Sequence, residues 1–144
     1  MSAISSRHQP ARVATRAQEL LVLAYSTGAA ALAGVAAVHV QQYVTLVHAI
    51  RWIGPLFLAN AAACVVIVAG LAFRPTRPLS ALSGVAVSAL TLAGLVVSYG
   101  AGLFGWAESG FRTAIALDVL TTVVATLALT AALAIAAARP RETA

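Results

Sequence analysis

This chain of 144 residues has no lysine, and only four acidic residues stand against nine arginines. With 9% charged and 61% hydrophobic residues it lacks the polar surface that a water-soluble domain needs. The arginines sit at the ends of apolar runs rather than in one patch, which argues against a nucleic-acid partner. One cysteine, Cys64, excludes an intramolecular disulfide, CxxC redox chemistry and Cys-rich structural zinc. No segment alternates apolar and polar residues as a barrel strand would. Phosphate-binding glycine loops, GxSxG and a Ser/His/Asp pattern are also missing, so the chain reads as a non-enzyme without a cofactor.

What is present is length of apolar run. A bilayer core of about 30 Å needs about 20 residues of helix, since each residue rises about 1.5 Å. Four stretches satisfy this, 20–40, 53–73, 79–100 and 114–137, and Asp118 is the one formal charge inside them. Unpaired backbone groups are not tolerated in lipid, so these stretches predict helices. The fold expected is an all-α membrane protein: a four-transmembrane-helix bundle over 19–138, with tails at 1–18 and 139–144.

Orientation follows from arginine. An even number of spans puts Arg7, Arg12, Arg16, Arg74, Arg77, Arg139 and Arg141 on one side and Arg51 and Arg112 on the other. The positive-inside rule then places both termini and the Arg74-Pro75-Thr76-Arg77-Pro78 turn in the cytoplasm, and 41–52 and 101–113 outside. That makes the protein a multi-pass protein of the cytoplasmic membrane. The first apolar run exceeds the usual signal-peptide core, so it reads as a span rather than a cleaved leader.

Small residues recur at four-residue spacing in two of the spans: Ser26, Ala30 and Gly34 in the first, then Ser80, Gly84 and Ser88, followed by Gly94, Ser98 and Gly102, in the third. Lipid tails are as apolar as leucine, so such stripes mark where backbones approach, within one bundle or across a homo-oligomer. Residues 31–37 and 91–97 align at a shift of 60, and Asn60 with Asp118 at 58, the pattern a duplicated helical hairpin would leave. Between Val35 and Ile53 no glycine or proline interrupts helical periodicity. Tyr43, Leu46, Val47, Ile50 and Ile53 then share one side, which predicts an amphipathic helix lying at the outer interface. Trp52, Trp106, Tyr43 and Tyr99 fall near the same surface as an aromatic belt.

Asp118 carries the main functional question. It lies about 6 Å into the fourth span, where an ionised carboxylate is costly unless paired or hydrated. Its own helix offers Thr121 and Thr122, so a partner must come from elsewhere: His39, Arg51, Asn60 or Tyr99. These residues with Asp118 form the candidate polar cluster; His48, Glu108 and Arg112 are weaker members. Asn60 can also serve as interhelical glue, and His39 as an ordinary interfacial hydrogen-bonding group. His39 and His48, nine residues apart, fall half a turn out of register on a continuous helix, which argues against their chelating one metal. Glu19, at the interface rather than mid-span, fits pairing with Arg16.

His39, the run Gly54-Pro55-Leu56-Phe57-Leu58-Ala59-Asn60-Ala61, the Arg74-Pro75 turn, Gly102-Leu103-Phe104-Gly105, Glu108 and an Asp-bearing fourth helix resemble four-span membrane proteins of actinobacteria. The resemblance covers about 31–140 and implies topology rather than activity. Two functional readings follow. In one, the chain is an accessory or scaffold subunit whose polar cluster clamps the bundle or meets a protein partner. In the other, Asp118, Asn60, His39 and Arg51 line an outward-facing pocket for a proton, an ion or a small lipophilic molecule.

Overall fold

The computed structural model describes residues 8–108 and 112–139, with side chains from Thr15 onward. Four long helices account for most of it: α1 (His8–Gln42), α2 (Ile53–Ala72), α3 (Arg77–Tyr99) and α4 (Thr113–Ala137). All four are long and apolar enough to cross a membrane. Their outer surfaces display large apolar side chains such as Val66, Leu90 and Leu127, which a bilayer solvates and water does not. Arg7 and Arg141, counted above for orientation, lie outside the described residues.

α1 begins at His8, so much of the stretch read as a tail is helical. Pro10 sits in its first turn, where its missing N–H costs no hydrogen bond, and alanines at 11, 14 and 17 favour helix. Pro55 and Pro78 likewise sit in the first turns of α2 and α3. The short turn between those helices is fixed by side chains. Thr76 Oγ1 donates to the Gly70 and Phe73 carbonyls (2.6 and 3.1 Å), and Arg77 Nε donates to the Leu71 carbonyl (2.9 Å), satisfying the open end of α2.

The connection from α1 to α2 departs from the expected interfacial helix. α1 passes into a π-helical turn, Tyr43–Val47, closed by His48 N–H on the Tyr43 carbonyl (3.0 Å). Turns then lead through Trp52, whose φ of 72° lies in the left-handed region, into α2. The physical reason is the reversal itself: the chain must turn back within about ten residues without glycine or proline, so wide helical hydrogen bonding and one strained residue do the work.

Helices adjacent in sequence pack against each other and α4 closes back on α1, giving a ring with α1 and α3 at opposite corners. Arg139 Nη1 donates to Gln18 Oε1 (2.7 Å), joining the first and last helices at the end that also carries the α2–α3 turn. We call this the terminal end, and the opposite one, with its two longer connections, the loop end. The terminal half is packed dry around Leu32, Ala81, Ala125, Leu129 and Ala132, all fully buried. Gly84 permits that closeness: a Cβ there would meet Leu32 Cδ1 at 3.2 Å and Ile67 Cγ2 at 3.5 Å, and Leu129 closer still. Dispersion holds such a layer, at about 0.1–0.2 kcal/mol per atom pair summed over many pairs.

Candidate functional site

Each helix contributes one polar residue at a similar depth in the loop half. His39 stands three residues before the end of α1, Asn60 seven residues into α2, Thr91 eight residues before the end of α3 and Asp118 five residues into α4. Three of them form a directed network. The Asn60 amide nitrogen lies 2.7 Å from His39 Nε2 and 2.8 Å from Thr91 Oγ1, so its two hydrogens serve both. Thr91 passes its own hydrogen to the Val87 carbonyl (2.9 Å). Asn60 Oδ1 faces Cys64 Sγ at 3.8 Å. With Nε2 accepting, the His39 proton sits on Nδ1, which is 3.0 Å from the Val35 carbonyl; this tautomer is assigned from the network.

Asp118 is left out of that network. Its Oδ1 lies 3.4 Å from His39 Nδ1, longer than a good N–H···O bond, and has no hydrogen-bond partner among the described residues. The residue is nevertheless only 7% exposed. Buried carboxylate oxygens are almost always satisfied, because an unsatisfied one forfeits its hydration without return. Asp118 is one of the residues that line a cavity of about 120 Å³, with His39, Asn60, Thr91, Phe57 and Trp106 among the others.

A hairpin lid covers part of the loop end of this cavity. Leu103 and Trp106 exchange two backbone hydrogen bonds (2.6 and 2.9 Å) across Phe104 and Gly105, whose φ values of 51° and 81° are those of a type I′ turn. Glu108 N–H donates to the Ser98 carbonyl at the end of α3 (3.0 Å), pinning the lid down. The buried Glu108 carboxylate accepts from Arg112 Nη2 at 2.5 Å, so the second acid in the cavity wall is already neutralised.

One helical turn deeper the polarity thins. Val35, Cys64, Ser88 and Thr122 occupy that level, and the Ser88 and Thr122 hydroxyls are fully buried with no partner among the described residues. A further turn down stand Leu32, Ile67, Gly84 and Ala125, which with Leu129 form the dry core. The polar column therefore starts at the loop end and stops inside the bundle.

Of the candidates from sequence, the structure brings together His39, Asn60 and Asp118, with Glu108 in the same cavity wall. Arg51 stays outside, with its guanidinium 5.2 Å from the Trp52 ring centre. His48 is exposed and meets Tyr43 edge-on, and Tyr99 is 41% exposed at the end of α3; neither lines the cavity. Arg112 touches it through Glu108 alone. Sequence reading missed Thr91, Phe57, whose ring packs 4.8 Å from His39, and Trp106 as cavity lining. The signal for Thr91 is its seven-residue spacing from both Gly84 and Ser98, which places all three on one face of α3. No three His, Cys, Asp or Glu side chains converge on a metal position among the described residues.

No protein-family model, curated protein or solved structure matches the chain, so its class rests on its own architecture. That class is an all-helical, multi-pass membrane protein of four apolar helices.

Proposed function

We propose that this chain is a non-enzymatic binding protein of the cytoplasmic membrane, taking a small molecule, ion or proton into the loop-half cavity with Asp118 as its anchor. One observation carries this reading: Asp118, buried and with a carboxylate oxygen that has no hydrogen-bond partner among the described residues, lines a cavity walled by polar groups from all four helices. The arginine distribution supports both termini in the cytoplasm and the loop end outside, with the segment from Tyr43 to Trp52 at the outer interface. The dry core around Leu32 and Leu129 supports binding from one side rather than conduction through the bundle.

The accessory or scaffold role is the second reading. It is favoured by the His39–Asn60–Thr91 hydrogen bonds, which tie three helices and fit a structural clamp. Asp118 separates the two. Native mass spectrometry of gently solubilised wild type and Asp118→Asn tests them: binding predicts an added mass on wild type that the variant loses. A bare chain mass for both, or a bound protein retained by both, would support the scaffold.

A further inference from the structure

Resting on that reading, we infer that the cavity takes the head of a lipophilic primary amine, with its ammonium on the Asp118 carboxylate and its apolar body leaving between α2 and α3 past Gly94.

The anchor decides the head group. An unpartnered carboxylate oxygen calls for a hydrogen-bond donor, and N⁺–H to carboxylate is among the strongest such bonds. The other groups in the wall are already engaged: Glu108 is taken by Arg112, and the His39 Nδ1 that lies 3.4 Å from Asp118 gives its hydrogen to the Val35 carbonyl at 3.0 Å. A hard metal cation is disfavoured because it needs about six oxygen ligands. Here Asp118 is the one carboxylate in the wall not already paired, and Thr91 Oγ1 is held by Val87 and Asn60. The rest of the wall is apolar or aromatic apart from the buried Gln42 and Ser98, and the rings of Phe57 and Trp106 suit an ammonium group.

The glycines decide the path. Gly84 is a packing glycine, whereas a Cβ on Gly94 would meet nothing within 4 Å, although both lie on α3. Gly94 borders the cavity together with Leu56 of α2 and Leu90 of α3, which are 45% and 71% exposed on the bundle's outer surface. The cavity thus reaches the lipid-facing surface beside Gly94. About 150 Å³ holds one benzene, so about 120 Å³ accommodates a head group and a few carbons, and a longer body extends through this window.

The test is thermal unfolding of the full chain in phosphatidylcholine nanodiscs, titrated with hexylammonium, hexanol, hexyltrimethylammonium and sodium chloride. We expect saturable stabilisation by hexylammonium at concentrations at least tenfold below those of the neutral and quaternary analogues. Asp118→Asn and Gly94→Leu should each weaken it at least tenfold, and Gly94→Leu should fold as well as wild type because its side chain enters open space. Equal or better stabilisation by the quaternary amine or by sodium, lost in Asp118→Asn, would overturn the primary amine while leaving the binding site. Unchanged hexylammonium binding in Gly94→Leu would overturn the path. No probe depending on either position would overturn the inference and the binding reading together; should Asp118→Asn fail to fold, Gly94→Leu decides alone.

Discussion

The two halves of the bundle use the same helices for different ends. In the terminal half, Leu32, Leu129 and the alanines around Gly84 pack with no polar side chain between them. In the loop half, the same four helices bring His39, Asn60, Thr91 and Asp118 to one depth, and Gly94 opens space where Gly84 closes it. The contrast shows how a small membrane protein can keep a costly carboxylate: one half supplies the packing that the other half gives up.

Substitutions in matched positions sharpen that contrast. The largest effect is expected for Gly84→Leu, which drives a side chain into Leu32, Ile67 and Leu129 and should cost about 3 kcal/mol or lose the folded protein altogether. Gly94→Leu, on the same helix, should leave stability unchanged or raised; equal damage at both sites in SDS-titrated bicelle unfolding would erase the distinction between the halves. Leu129→Ala follows, at about 2–4 kcal/mol by the same measurement, because it empties a fully buried position. Asn60→Ala should cost about 1 kcal/mol, since it removes the donor to both His39 and Thr91 but leaves the helices packed. The smallest change belongs to Arg51→Ala, below about 1 kcal/mol, because its guanidinium contacts an exposed Trp52 ring. A large loss there would mean that the α1–α2 connection carries more of the stability than the packing indicates.

The four helices are legible in the sequence because hydropathy in lipid is a strong, local signal: long apolar runs bounded by Arg, Gly-Pro and Arg-Pro leave little choice. Asp118, Asn60 and His39 are legible for the same reason, as polar groups where lipid tolerates few. The path between α1 and α2 is not, since helical periodicity continues to Ile53 while the reversal needs a π turn and a positive φ at Trp52. Depth alone places Arg51 and Tyr99 near Asp118, and depth does not tell which way a side chain faces around its helix. Thr91 and Gly94 read as ordinary small helix residues; only the arrangement of neighbouring helices separates a glycine that packs from one that leaves room.

The central claim is that the loop half holds a cavity with the Asp118 carboxylate in its wall, open beside Gly94 about 7 Å from the loop end of α3, while the core around Leu129 is closed. Thiol labelling of intact cells tests it most directly, using Leu95→Cys in the cavity wall and Leu129→Cys in the dry core, each in a Cys64→Ser background. The account predicts that Leu95→Cys reacts with small membrane-impermeant methanethiosulfonates added outside, faster with the cationic than with the anionic reagent, and that Asp118→Asn removes the preference, while Leu129→Cys reacts with neither. Equal rates for both charges, or labelling of Leu129→Cys, would contradict it.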